Sequence, residues 1–276
     1  MNENSLKAIA SEIRKLSLSA IYHAESGHPG GALSCADIVA YLYEYVVDLH
    51  SSNRLNRLVL SKGHAAPVIY AAAVTQGVIS AGNEKTLRKL GSKLQGHPDV
   101  NAFNWLETST GSLGQGFSVA IGMSLGLMYK KASGTIYAIL GDGELQEGQI
   151  WEGAMFAAHH GLGNMCAIVD YNKLQSDDLN KNIINIEPLA DKWSSFGWQV
   201  LEIDGHDFSQ IKAAIGAANK TSNKPSAIIA HTIKGKGVSF MEGVPAWHGS
   251  VAIKKSELEK ALIELGASGA DVDNYL

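Results

Sequence analysis

The sequence predicts an α/β fold, a doubly wound, mostly parallel sheet of about five strands flanked by helices. Short apolar runs alternate with segments of helical period along most of the chain. Glycines cluster where the apolar runs end, as strand-to-helix turns require. The two clearest runs are Thr135–Leu140 and Met165–Val169. They end in Gly141-Asp142-Gly143 and Asp170-Tyr171-Asn172, with 28 residues between Gly143 and Asn172. That spacing fits one helical crossover, which makes the two strands parallel. Asp142 and Asn172 then meet at the C-terminal edge of the sheet, where open α/β sheets bind ligands.

The remaining elements follow in order. Leu6, Ile9, Ile13, Leu16 and Ala20/Ile21 recur at steps of three and four, the mark of an amphipathic helix. Ser34-x-x-Asp37 reads as the cap of a second helix that buries Ile38, Leu42 and Tyr45. Arg57–Leu60 is a short strand delivering Ser61-Lys62-Gly63-His64 into a turn, before a small-residue helix over Ala65–Thr75. The glycine-rich stretch Thr108–Gly116 opens a helix over Phe117–Lys131, in which Gly122 and Gly126 are expected to pack on the sheet. Beyond strand 135–140 come helix 149–160, strand 165–170, a polar loop over 172–187 and helix 188–196. Strand Trp198–Ile203, helix 207–219, strand Ser226–Ala230 and a charged helix Lys254–Leu265 complete the series. Residues 1–250 read as one domain and 251–276 as a C-terminal extension.

Composition narrows the function classes. The apolar fraction of 45% is that of an ordinary globular core. A net charge of −4 without a long basic run disfavours nucleic-acid binding. The least charged stretch, Ala65–Ile79, is too short to span a bilayer. Met1–Arg14 is polar rather than a secretory signal. Cys35 and Cys166 sit in apolar contexts, which suits a reducing, cytoplasmic setting. Walker and dinucleotide-fingerprint patterns are missing, and no Gly-x-Ser-x-Gly pattern stands at a strand-to-helix turn as a nucleophile elbow requires.

The chemistry gathers in loops. Gly-Asp-Gly alone is a common turn tripeptide, but its pairing with Asn172 across a crossover favours a ligand site. Asp142 and Asn172 offer side-chain oxygens, and the Leu174 carbonyl a third, for a hard cation such as Mg²⁺. The helix beginning near Gln149 is expected to turn its N-terminus to a diphosphate. Four histidines lie on Gly/Pro-stiffened turns: His28, His64, His97 and His248. Such imidazoles contact hydroxyls, carbonyls and phosphate oxygens. Their spacing does not fit zinc. His159 and His160 adjoin on a helix and read as structural. Lys234, in Lys234-Gly235-Lys236-Gly237, could touch phosphate but lacks the Walker pattern.

These residues resemble the transketolase family. The resemblance rests on Ser26-Gly27-His28-Pro29-Gly30, Ser61-Lys62-Gly63-His64, Gly96-His97-Pro98, Thr110–Gly116, Gly141–Gly148 and His231–Gly237. It runs, in the family's order, from about residue 5 to 250. It implies a thiamine-diphosphate-binding domain of the type that holds the diphosphate, with Asp142, Asn172 and the Leu174 carbonyl on Mg²⁺ (or Ca²⁺). It implies that His64, Gly143 and Asn172 meet the diphosphate, with Gly141, Glu144 and His248 also at the cofactor. Gly111, Ser112 and Leu113 would line the aminopyrimidine side. His28, His64, His97 and His248 would serve catalysis at the donor sugar. Glu147 and Glu152 would match acids near a subunit interface. The family commonly has Pro where Ser112 stands, and an acid or Asn where Tyr171 stands. Neither departure removes a ligand.

Length adds a further implication. Transketolases carry three domains, and this chain corresponds to the first. The resemblance is therefore to the N-terminal subunit of a split transketolase, inactive alone. Its partner would supply the pyrimidine-binding and C-terminal domains, including the glutamate that activates the cofactor, in an α2β2 heterotetramer. The reaction implied moves a two-carbon glycolaldehyde unit from a ketose phosphate to an aldose phosphate. A specialised sugar-degradation transketolase, another thiamine-diphosphate enzyme and a non-catalytic cofactor-binding module are the alternatives.

Overall fold

A computed structural model describes residues 2–176 and 178–276. The chain runs α1 (Glu3–Ala24), α2 (Pro29–Ser34), α3 (Ala36–Tyr45), β1 (Arg57–Leu60) and α4 (Ala66–Thr75). It continues through α5 (Gln115–Tyr129), β2 (Ile136–Gly141), α6 (Gly148–His159), β3 (Met165–Tyr171), α7 (Asn180–Ile183) and α8 (Leu189–Ser195). β4 (Gln199–Asp204), α9 (Phe208–Ala218), β5 (Ser226–His231) and α10 (Lys255–Glu264) follow. The strands form one sheet in the order β1-β2-β3-β5-β4, every adjacent pair parallel. β2, β3 and β5 are buried along nearly their whole length, as strands covered on both faces must be.

Two cores result. Alternate residues of β2 and β3 point to opposite faces. Tyr137, Ile139, Cys166 and Ile168 join the face covered by α1, α3, α4, α9 and α10. Ala138, Leu140, Ala167 and Val169 join the face covered by α5, α6 and α8. The expected doubly wound sheet is thus present with five strands.

Several expectations are corrected. Neither Ser34 nor Asp37 caps α3: Ser34 Oγ donates to Asp170 Oδ2 at 2.5 Å, and Asp37 pairs with Arg14 and His206. Ile38 and Leu42 are buried, but Tyr45, at the helix end, is 47% exposed. Gly122 and Gly126 do not pack on the sheet, since a Cβ on either would meet nothing within 4 Å. They lie on the outer side of α5; the close approach is at Gly153 of α6, where a Cβ would come within 2.8 Å of Ile121. The residues after 250 pack against the rest of the chain. α10 buries Leu258, Ala261 and Leu262 in the α1-side core, and the Tyr275 carbonyl accepts the Ser19 hydroxyl at 2.6 Å. Among the described residues, no helix is long and apolar enough to cross a membrane.

Candidate functional site

Pairing of Gly141 with Asp170 sets the ends of β2 and β3 level, so Asp142 and Asn172 leave the sheet side by side. β1 delivers Ser61–His64 to the same edge, and β5 delivers Lys234. A cleft of about 450 Å³ opens there. Its walls include His28, His64, His97, His248, Gly111, Leu113, Gly141, Asp142, Gly143, Glu144, Asn172 and Leu174. All the proposed site residues but one therefore converge. Ser112 is exposed and outside the lining, where its carbonyl accepts the Gln115 N–H at 3.3 Å.

The turn after β2 also differs from expectation. A short 3₁₀ turn, Gly143–Gln146, intervenes before α6, and Gln146 and Glu147 line the cleft. Gln149 instead packs against Gly114 and the Leu113 carbonyl. Glu144, in the cleft wall, is also held by hydrogen bonds. Its carboxylate accepts the Ser61 hydroxyl and the amides of Gly114 and Gly141, at 2.5, 2.7 and 3.0 Å. It fastens these segments together at the cleft wall. Gly111 is required where it stands: its φ is +153°, and a Cβ would press on His97 Cδ2 at 3.1 Å.

Asp142 is 2% exposed and accepts the backbone amides of Gly143, at 2.8 Å, and of Lys173. Burial first, then the neighbouring Asp170 charge, push its carboxyl up to about 6. A carboxylate so placed wants positive charge. Asn172 Oδ1 accepts the Leu174 N–H at 3.2 Å, which folds the Leu174 carbonyl into the cleft lining. That carbonyl accepts Lys234 Nζ at 2.7 Å. Burial lowers Lys234 to about 8 against the pull of Asp142 and Asp170. One carboxylate, one carboxamide oxygen and one carbonyl make a donor set for a hard cation. Among the described residues there is no cluster of three His, Cys, Asp or Glu side chains for a softer metal. The residues present fit a divalent cation that carries a diphosphate.

The imidazoles form a wall. Ring centroids of His28, His64 and His248 lie 5.1 to 6.0 Å apart. Burial pushes His28 down to about 4 and His248 to about 3, with nearby cations adding to both. Burial and Lys62 take His64 well below its usual value, and burial and Arg88 lower His97. All four are therefore neutral near pH 7, each with one donor and one acceptor nitrogen. Buried His28 Nδ1 has no hydrogen-bond partner among the described residues. A buried polar atom without a partner is costly, and a ligand hydroxyl would relieve it.

Sequence reasoning missed the floor beneath. Asp170 and Lys62 are wholly buried and paired at 2.6 Å. Lys62 also donates to the Gly31 carbonyl at 2.7 Å. Asp170 further accepts Ser34, the Thr232 hydroxyl, and Asn172 Nδ2 at 3.1 Å. Burial works against both charges, yet the pair keeps Lys62 raised and Asp170 lowered from their ordinary values. Both lie within conspicuous motifs, Ser61–His64 and Asp170–Asn172, but neither motif carries a sign of the other residue. His159 ends α6 and His160 caps it, both outside the cleft, and the His160 ring packs on Phe156.

Residues 5–272 match the family model for the transketolase thiamine diphosphate binding domain. The chain is 43% identical to the 6-deoxy-6-sulfo-D-fructose transketolase subunit of Clostridium sp. (strain MSTE9), over 95% of this chain and 96% of that protein. It is 36% identical to an apulose-4-phosphate transketolase subunit of Phocaeicola vulgatus, over 96% and 95% of the two. The crystal structure of transketolase from Campylobacter jejuni superposes with a TM-score of 0.90 at 33% identity, covering 96% of this chain and 43% of that one. The chain thus spans nearly the full length of the two subunits and less than half of the Campylobacter jejuni chain.

Proposed function

Because the chain belongs to the transketolase family, through its thiamine diphosphate binding domain, we propose that it is the N-terminal subunit of a two-chain transketolase. The observation that carries this is the convergence of Asp142, Asn172, the Leu174 carbonyl and Lys234 with four neutral histidines in one cleft. In this reading Asp142, Asn172 and the Leu174 carbonyl hold Mg²⁺ (or Ca²⁺). The Lys234 ammonium, His64 and the Gly143 turn face the diphosphate, while Gly111 and Leu113 line the ring side.

The cofactor supplies an electron sink for cleaving the C2–C3 bond of a ketose. The protein's part is to bind, orient and move protons. His28, His97 and His248 donate to or accept from sugar hydroxyls, as neutral imidazoles can. Arg88 donates to Ser26 Oγ at 2.6 Å, and its charge reaches both His28 and His97. That placement suits a donor with an anionic end. The two subunit relatives carry a sulfo-ketose and a ketose phosphate in their names. The donor class proposed is accordingly a ketose with a terminal phosphate or sulfonate, and the acceptor an aldose phosphate.

The partner would be a second chain with the pyrimidine-binding and C-terminal domains, two copies of each forming the assembly. The outer faces of α5 and α6 support a docking surface, since Val119, Tyr129, Met155 and Phe156 are 39–73% exposed there. Glu152 lies in the same groove as Gly122 and Phe156. The two free cysteines are buried, and burial raises Cys35 to about 11 and Cys166 to about 12. Such unreactive thiols are in keeping with a cytoplasmic setting.

The test is a two-carbon transfer assay with the purified chain alone and with its partner chain. The expected result is negligible transfer alone and full turnover in the mixture. Full turnover by this polypeptide alone would sink the split-enzyme reading.

A further inference from the structure

A polar chain outside the cleft reaches the site through the backbone. It starts at Arg14 of α1, whose Nε donates to the Leu33 carbonyl at 3.1 Å. Its two terminal nitrogens meet both Asp37 oxygens, the longer contact being 3.2 Å. Such a fork fixes the plane of the carboxylate. Asp37 Oδ2 lies 2.7 Å from His206 Nδ1, and His206 Nε2 lies 2.9 Å from the backbone nitrogen of Ile233. A backbone amide can only donate, so Nε2 accepts. The ring proton then sits on Nδ1 and points at Asp37. The next residue after Ile233 is Lys234.

We propose that His206, oriented by Asp37 and Arg14, is the positioning residue for the Lys234 ammonium. The proposal rests on the site reading given above. Lys234 Nζ has to satisfy two partners at once, the Leu174 carbonyl at 2.7 Å and His248 Nδ1. The segment that carries it is pinned on both sides. Upstream, the Thr232 amide donates to the Tyr171 carbonyl at 3.2 Å and its hydroxyl to Asp170. Downstream, the Gly235 amide donates to the Gly30 carbonyl at 3.1 Å. Gly235 has φ +78°, and a Cβ there would lie 2.5 Å from the Met241 carbonyl. The chain therefore reverses tightly just after Lys234 and has no room to absorb a shift.

Between these pins the Ile233 amide is the contact just before Lys234, with the His206 ring as its acceptor, and the Lys234 carbonyl accepts the Gly243 amide at 2.9 Å just after it. His206 is absent from the cleft lining, so it acts at one remove. Four elements, α1, α3, the turn after β4 and the loop after β5, are tied to one ammonium group by this chain.

Two substitutions separate positioning from general stability. In His206→Asn the amide still donates to Asp37 but ends short of Ile233. In His206→Gln the longer side chain brings its oxygen back to the Ile233 amide. Both are compared with Lys234→Ala in the full chain assembled with its partner subunit. Magnesium–thiamine diphosphate is titrated by calorimetry, alongside thermal unfolding and amide exchange. For His206→Asn the expected result is about tenfold weaker cofactor binding, as loss of one buried hydrogen bond allows. Faster exchange should be confined to residues 232–237, with partial recovery in His206→Gln. Equal losses in both variants that track a fall in Tm would reduce His206 to a structural role and overturn the proposal. Unchanged affinity in both, beside a weakened Lys234→Ala, would overturn the positioning role alone. Unchanged affinity in Lys234→Ala would overturn it together with the site reading.

Discussion

At the floor of the cleft, Asp170 is fully buried and both carboxylate oxygens have donors: Lys62, Ser34, Thr232 and Asn172. On the wall above, His28 is also substantially buried, yet its Nδ1 has no partner among the described residues. Burial acts on both regions with opposite results. On the floor, opposite charges answer it and stay ionised. On the wall, nothing of opposite charge answers it and the imidazoles stay neutral. The difference separates groups that hold the site together from groups left available to a ligand. Asp142 stands between the two, a buried carboxylate whose pKa burial and the Asp170 charge push up.

The comparison breaks first at the floor. Asp170→Ala leaves the Lys62 ammonium buried without a counter-charge, and this should cost about 3–5 kcal/mol of stability. Urea unfolding of the full chain measures it, and a loss below about 1 kcal/mol would mean the pair is far better solvated than its burial indicates. On the wall, His97→Ala should leave the fold and cofactor affinity nearly intact while lowering kcat/KM for the donor roughly tenfold to a hundredfold. Collapse of cofactor binding instead would place His97 on the wrong ligand.

A smaller effect appears in pH dependence. The folded-state pKa values of His28 and His64 lie below that of an unfolded histidine. Between the two values the unfolded chain takes up protons that the folded chain refuses. Stability contributed by these neutral rings is therefore complete above pH ~6.5 and falls as pH drops toward the folded values. Solvent near His28 reduces the effect, leaving roughly 1–2 kcal/mol between pH 7 and 5. His28→Gln should flatten the slope, and an unchanged slope would show that other groups produce it. The smallest effect on the chain itself is expected at the outer α6 face. Phe156→Glu should change its stability by less than about 0.5 kcal/mol while weakening assembly with the partner, read by sedimentation. Intact assembly would move the docking surface elsewhere.

Much of this was legible along the chain because its signals are local. β2 and β3 announce themselves as apolar runs, and one crossover length brings Asp142 beside Asn172. Loop histidines stand out because glycine and proline surround them. The floor is different. Asp170 meets Lys62 across 108 positions, and Asp37 meets His206 across 169. Nothing in the neighbourhood of either residue names the other, and Asp37 in particular passes for a helix cap. Gly122 and Gly126 misled for a related reason: helical period tells which residues share a face, not which face the sheet covers. The bonds of Glu144 to Ser61 and Gly114 were equally illegible, since both partners are distant in sequence.

The most direct measurement is a calorimetric titration of the assembled protein with thiamine diphosphate, with and without Mg²⁺, for the wild type and Asp142→Ala. The account predicts metal-dependent binding in the wild type and its loss in Asp142→Ala, with the fold retained. Unchanged affinity in Asp142→Ala, or binding indifferent to the metal, would contradict the assignment of this sheet edge as the diphosphate anchor.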